Sequence, residues 1–455
     1  MTGTRGKVIG IALLLVAVFS LSLTGNAGAY RFAPDPGFGA GGTVDLLAVN
    51  QPGRTFYGVH EVRPGPEGTA WVLYRALPTP EQSECETPSY ISRYLSDGRV
   101  DTGFGAGGFA QIYSPIGCTY PSLHVDRQFR PLITWRSTGG SRGPSTLAIA
   151  RYTADGALDP TFGSAGVSLL TIPCPGGAGA NLDSGADGGL LLGFGCWADE
   201  SSPEATSTSP YQSYIARLLP NGALDSGFDG DGLLAPSREA GWGGPKVAAV
   251  EADGSVILAQ TTDYVEGSPQ RSRLLRLLSD GTLDGTYQAR AEVSLRRLAN
   301  IAAPSIPELM TDFLLRRNGD LVVGGGSDRG GWVATLRHDG SLQREFSGDG
   351  FRRFSEPIRV VAADRHGGLL LLGWKFRGLS ILRLLADGNR DRTVGGPRGQ
   401  RLLLESEGSL SDFVSLWRGR PLFFLRKLGG CSSRQDCEEP AELRRLRLPE
   451  RKQRR

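Results

Sequence analysis

Histidine is nearly missing from this chain, with four in 455 residues. None of the four lies beside a cysteine, and no two of the six cysteines are spaced CxxC. The common zinc-binding patterns are thereby excluded. Net charge is nearly missing too: 50 Lys and Arg against 47 Asp and Glu leave +3. A chain this close to neutrality has no broad positive field to gather nucleic acid. Beyond the first 29 residues no apolar run is long enough to cross a bilayer. A sustained helical period is also lacking, which argues against helix bundles and α/β folds. Glycine, by contrast, is abundant, with 65 residues and no collagen period, and glycine without that period means turns.

The start of the chain stands apart. Arg5 and Lys7 precede an apolar run from Val8 to Leu23, and Ala27-Gly28-Ala29 follows as a small-residue cleavage site. That order is the one of a secretory signal peptide over residues 1–29, with Tyr30 first in the mature, secreted or periplasmic protein. The run of about 16 residues is shorter than the roughly 20 of a membrane span, so no stable membrane insertion is expected. Without Arg5 and Lys7 the formal charge falls from +3 to +1. At the other end, Arg451, Lys452, Arg454 and Arg455 crowd residues 449–455 into a basic tail, read as solvated.

Between these ends one phrase recurs seven times. It stands as Asp35-Pro-Gly-Phe-Gly-Ala-Gly-Gly42, and again from Asp101, Asp159 and Asp225. Altered forms start at Asp284, Gln343 and Asp391. Intervals of 66, 58, 66, 59, 59 and 48 residues mark one supersecondary unit copied along residues 30–448. Each unit reads as four short strands. In the fourth, Lys246–Glu251, Ser255–Gln260 and Arg273–Leu278 are separated by Asp-Gly turns, strong hairpin signals between β-prone runs. Second strands such as Ala70–Tyr74, Gly189–Gly193 and Gly368–Leu372 are unbroken apolar runs, as expected of strands covered on both faces.

Seven such units predict an all-β fold, a seven-bladed β-propeller of four-stranded antiparallel blades. The ends of the chain are complementary. The mature N-terminus opens on a fourth-strand phrase, and the C-terminus supplies three strands, Asp412–Leu416, Pro421–Leu425 and Leu443–Leu448. Pairing the two closes the ring and removes both exposed edges. A solenoid would need capping repeats instead. The segment Leu158-Asp-Pro-Thr-Phe-Gly-Ser-Ala-Gly166, preceded by Ile149–Gly156, resembles the bacterial delta-60 repeat, a propeller-type repeat of exported proteins. The likeness runs over essentially the whole mature chain and weakens where Tyr287 and Val394 replace the phrase phenylalanine. It implies architecture and export, not an activity.

Several residues carry the look of chemistry. Arg93, Arg151, Arg217, Arg276 and Arg383 recur at one third-strand position, with Arg445 equivalent and Thr335 the exception. A ligand site is normally singular, so this recurrence predicts a structural tie to the phrase aspartates or to turn carbonyls. Gly37-x-Gly39-x-x-Gly42 and Gly103-x-Gly105-x-x-Gly108 match a dinucleotide fingerprint but lack its strand–turn–helix context. Gly139-Gly-Ser141-Arg-Gly143 matches a nucleophile elbow without a following helix, acid or base. Asp229-Gly-Asp231-Gly offers too few oxygens for calcium. His60 and His124 fall on innermost strands of adjacent blades, and His338 and His366 at turns; all four read as ordinary packed or exposed histidines. Catalytic, cofactor and metal residues are therefore not assigned.

Loop lengths point elsewhere. Connections between second and third strands (Ala76–Ser89, Ser137–Thr146, Ala198–Ser213, Leu428–Ala441) vary widely. So do those between blades (Tyr113–Ser122, Thr171–Asn181, Ala235–Lys246, Leu295–Glu308). Both classes emerge on one face of the disc, and variable loops on a rigid scaffold are where recognition resides. All six cysteines fall there. Of fifteen pairings the sequential one is expected: Cys85 with Cys118, Cys174 with Cys196, Cys431 with Cys437. Tyr113, Tyr120, Trp197, Tyr211, Tyr214, Trp242 and Tyr264 cluster on the same face as candidate contacts, Trp242 foremost. The reading is an exported, non-catalytic, monomeric recognition or scaffold propeller. It needs no cofactor and binds a protein or glycan of the envelope or extracellular space. The alternative is an exported propeller enzyme of the metal-dependent lactonase or quinone-dependent sugar dehydrogenase type.

Overall fold

A computed structural model describes residues 33–48, 56–76, 87–117, 119, 121–136, 145–172, 181–197, 211–235, 246–262, 271–302, 310–327, 330–364, 366–375, 378–392, 400–402, 409–418, 420–427 and 441–447. Seven antiparallel sheets follow one another, six built from strands consecutive in sequence and the seventh from the last three strands and the first two. Blade 1 comprises Phe56–Pro64, Ala70–Ala76, Ser89–Tyr94 and Phe109–Ile112. Blade 2 comprises Ser122–Val125, Pro131–Arg136, Ser145–Arg151 and Val167–Ile172. Blade 3 comprises Asn181–Ser184, Leu190–Trp197, Tyr211–Leu218 and Leu233–Leu234. Blade 4 has three strands, Lys246–Val250, Val256–Thr261 and Ser272–Leu277. Blade 5 comprises Met310–Leu315, Leu321–Ser327, Gly330–Leu336 and Phe351–Phe354. Blade 6 comprises Ile358–Ala363, Leu369–Lys375, Gly378–Leu384 and Gln400–Leu402. Blade 7 joins Ser409–Trp417, Arg420–Lys427 and Ala441–Arg447 to the N-terminal segments Thr43–Asp45 and Ala33–Pro34, both paired with Ala441–Arg447.

The core lies between blades. In blade 1, Val72 and Tyr74 pack toward blade 7 with Phe424 and Leu443, while Trp71 and Leu73 pack toward blade 2 with Leu123 and Ile133. Alternate residues of one strand thus serve opposite neighbours, and the second strands are apolar without interruption because both faces are covered. First strands of neighbouring blades lie against each other around the ring axis.

Five of the phrases plug these seams with a phenylalanine. Phe38, Phe104, Phe162, Phe228 and Phe346 are all fully buried. The backbone N–H that follows donates into the next blade's tight turn: Gly39 to Asp97, Gly105 to Asp155, Gly163 to Asn221. Gly222 shows why glycine stands in that turn. Its φ is +84°, and a Cβ there would come within 2.8 Å of the Phe162 ring. Gly230, at φ +86°, faces open space. Gly222→Ala is therefore expected to destabilise by about 2–4 kcal/mol, from positive φ plus overpacking. Gly230→Ala should lose only about 1 kcal/mol, the conformational part alone. Urea midpoints of the two variants test this, and equal losses would remove the seam contact from the explanation.

Blade 4 departs from the sequence reading. The sequence predicts no helix here and a loop over Leu295–Glu308; residues Gly285–Ala302 instead form an 18-residue α-helix, α1, after the third strand. The cause is local. In five phrases the leading aspartate starts a helix-like turn, its Oδ1 accepting the N–H two residues on, as Gly37 to Asp35 and Thr161 to Asp159. Glycines then break the turn: after Asp159 the chain passes through φ of 56°, 52° and 92° at Gly163, Ala165 and Gly166. After Gly285 no glycine occurs until Gly319. Asp284 caps Thr286 and Tyr287 N–H at 3.1 and 3.0 Å, and the turn runs on as a helix. Tyr287, Ala291 and Leu298 bury one face against blades 4 and 5, with Tyr287 in the seam position of the missing phenylalanine. That 4-then-7 spacing was the available signal, masked by the match of the phrase to its strand-forming copies.

Candidate functional site

The recurring arginines resolve into a repeated clamp. Arg93 pairs with Asp101. Arg151 Nε lies 2.8 Å from Asp159, Arg217 Nε 3.1 Å from Asp225, and Arg383 Nη1 2.7 Å from Asp391. Several also reach the next blade: Arg151 donates to the Pro220 carbonyl and Arg217 to the Ser279 carbonyl, each at 2.6 Å. Arg445 of blade 7 donates to the Ser96 and Gly68 carbonyls of blade 1. Its guanidinium covers Phe38 at 4.4 Å, as Arg151 covers Phe162 at 4.5 Å. Burial pulls Arg445 down to about 10, which leaves it charged at neutral pH. Blade 4 varies the theme, with Arg276 Nε 2.5 Å from Glu251, whose other oxygen lies 2.9 Å from His338 Nδ1. In blade 5 both partners are replaced together. Thr335 stands for the arginine and Gln343 for the aspartate, and the ion pair moves to the exposed Arg337 and Glu345. These residues tie blades together, and none converges with its counterparts.

The axial wall, formed by first strands, is charged. Its acids are engaged across seams. Glu61 accepts from Arg63 at 2.8 Å and from the Leu123 N–H of blade 2 at 3.1 Å. Asp312 accepts from the Val360 N–H of blade 6 at 3.0 Å and from Arg359 at 3.3 Å. Burial pushes Asp183 up, against hydrogen bonds from the N–H groups of Ser184 and of Val250 in blade 4 and the charge of Arg127. In blades 1 and 5 alike, an acid of the innermost strand thus takes a backbone donor from the following blade. Sequence reading named none of the three. His60 is exposed, whereas His124 is half-buried 3.2 Å from Thr134 Oγ1, and desolvation lowers its pKa to about 3, so its ring stays neutral. Among the described residues no three His, Cys, Asp or Glu side chains are grouped as a metal site.

The predicted contact aromatics divide. Tyr113 is 67% exposed at the end of the fourth strand of blade 1, its hydroxyl accepting from Gln111. Tyr214 is a correction. It lies buried in the third strand of blade 3, stacked on Phe194 with centroids 5.7 Å apart, and presents nothing to a ligand. The hairpin extends further than its sequence suggests, to the pair Trp197 and Tyr211, with Cys196 opposite Gln212. Tyr120, Trp242 and Tyr264 lie outside the described residues, as do Cys85, Cys118, Cys174, Cys431 and Cys437. No helix among the described residues is long and apolar enough to cross a membrane.

Residues 137–162, 205–228 and 251–287 match a family profile described as "Domain of unknown function (DUF5122) beta-propeller". The chain is a β-propeller. The three matched stretches each reach a copy of the phrase, so the profile and the seven-sheet architecture report the same repeat. No curated protein sequence matches the propeller. Among solved structures it is similar to the polysaccharide lyase Uly1, at 10% identity and a TM-score of 0.46 over 92% of each chain. It is also similar to prolyl oligopeptidase B from Galerina marginata, at 9% identity and a TM-score of 0.41. That match covers 85% of this chain and 47% of the oligopeptidase, so the propeller spans about half of that protein's length. An alpha-L-arabinanase of Penicillium chrysogenum matches at 11% identity and a TM-score of 0.35, over 79% of this chain and 94% of the arabinanase.

Proposed function

We propose that this propeller is an exported, non-catalytic recognition scaffold that binds a protein or glycan through its loop-rich face. The observation that carries the reading is the engagement of the axial acids. Glu61 and Asp312 each hold a backbone N–H of the next blade, so these acids of the wall where a propeller enzyme gathers ligands are occupied with holding blades together. The variable connections on one face remain as the elaborated surface, with Tyr113 exposed at its border. The delta-60 likeness and the signal-like residues 1–29 support export. The test pairs the intact protein with a variant whose residues 198–210 are replaced by a Gly-Ser linker of equal length. Both are screened against purified envelope glycans and envelope proteins, with lactone and sugar turnover assayed in the presence of calcium and quinone. Binding that disappears in the folded linker variant, without turnover in either, is the expected result. Turnover dependent on calcium or quinone would sink the proposal, and so would binding indifferent to the replaced loop.

A further inference from the structure

Helix α1 takes the place of an outermost strand, and a helix is a poor substitute in width. A strand would lie roughly 4.8 Å from its neighbour, whereas a helix with its side chains is about 10 Å across. Between α1 and blade 5 a groove of about 520 Å3 is left open, within the usual range for ligand pockets. Arg290, Val293 and Arg297 line it from the helix, and Arg337, Leu342 and Arg344 from blade 5.

We propose that this groove binds a short acidic peptide segment bearing an apolar side chain between its carboxylates. Charge is the first argument. Four guanidinium groups face the groove and Glu345 is its one lining acid. Arg290 is paired with Asp339 at 2.9 Å and Arg337 with Glu345 at 2.6 Å. Arg297 and Arg344 are exposed and make no hydrogen bond or ion pair among the described residues. Arginine forks match carboxylate geometry with two parallel donors, so two such forks invite two carboxylates. The second argument is apolar. Val293 is 69% exposed, the most exposed large hydrophobic among the described residues, and it stands between Arg290 and Arg297 on the same helix face. An acidic sugar chain has no aliphatic side chain to cover it; a peptide does. The groove lies beside α1 and does not depend on the loop-face reading.

Fluorescence anisotropy with a fluorescein-labelled Gly-Glu-Leu-Ala-Glu-Gly peptide and the full chain tests the proposal. Saturable binding is expected, weakening as ionic strength rises from about 0.05 to 0.3 M. The Arg297→Glu/Arg344→Glu double variant should bind at least tenfold more weakly while still melting cooperatively, since neither side chain makes a hydrogen bond or salt bridge among the described residues and only Arg344 acts on a neighbour, attracting Glu345. Val293→Ser, and independently a peptide with serine for leucine, should each weaken binding several-fold. Equal binding by the charge-reversed variant would overturn the assignment, as would no saturable binding at all. Competition by tetragalacturonate as effective as that of unlabelled peptide would overturn the peptide as occupant.

Discussion

Deletion of residues 441–447 is expected to unfold the whole ring, not one blade. This segment is the third strand of blade 7 and has partners on both sides. Leu422–Arg426 pair on one edge, and Thr43–Asp45 with Ala33–Pro34 on the other. Leu443 and Leu446 leave the core with it, and Phe38, Leu46 and Phe424 lose their cover. Truncating a single buried leucine loses about 2–5 kcal/mol, against a total stability of about 5–15 kcal/mol for a domain. Arg445 goes as well, and with it the donors to Ser96 and Gly68 that hold blade 1 against blade 7. Calorimetry of the deletion should show loss of the cooperative transition, or a melting temperature lower by more than about 15 °C, beyond the roughly 2–4 °C per kcal/mol of smaller defects in large domains. Deletion of 449–455 serves as the control and should melt like the intact protein. If the 441–447 deletion melted normally too, the N-terminal pairing would not be what holds the ring shut.

The second large effect concerns the clamp. Arg151→Ala should lose about 1.5–3 kcal/mol, the range for a hydrogen bond to a charged group, because Asp159 then keeps only Arg130 at 3.5 Å and the Thr161 donors. The side chains of Arg151 and Asp159 are 2% and 9% exposed. Blade 5 indicates how the loss is relieved. There the two positions are Thr335 and Gln343, neither charged, and the backbone bond from Gln343 N–H to the Thr335 carbonyl is kept at 2.8 Å, as between Asp159 and Arg151. The double variant Arg151→Thr/Asp159→Gln should therefore be more stable than Arg151→Ala alone by at least 1–2 kcal/mol, roughly the desolvation of an unpaired charge. Acid separates the two explanations. Burial alone would raise the Asp159 pKa, but hydrogen bonds from Thr161 and the charge and hydrogen bond of Arg151 hold it below the ordinary value of 3.8. A lowered carboxylate pKa adds stability above the unfolded value, and that stability is lost as pH falls through the folded one. The gap between wild type and Arg151→Ala should thus shrink below about pH 3.8. A gap unchanged in acid would mean that packing over Phe162, not charge, carries the clamp.

What was legible in the sequence was what repetition amplifies. Asp-Gly turns, apolar second strands and the phrase recur often enough that one unit corrects another, so seven four-stranded units could be read without any contact being known. The arginine at its third-strand position was legible as structural for the same reason. Single departures were not. The glycines missing after Gly285 turned an Asx-capped turn into α1, and the local resemblance to six other phrases concealed it. Tyr214 looked like a loop aromatic because the hairpin of blade 3 extends to Trp197 and Tyr211, and strand length is set by pairing with a partner remote in sequence.

By itself the sequence determined the all-β class, the number of blades, the recurring third-strand arginines as structural ties and the turns that demand glycine. Each of these follows from short local patterns and from their repetition every 48 to 66 residues. Only the tertiary structure decided which acids face the axis and that Glu61 and Asp312 are held by the next blade's backbone. It also decided that a helix beside blade 5 opens an arginine-lined groove. Those features join residues of different repeats. Their distances depend on how blades pack, a quantity that no local pattern encodes.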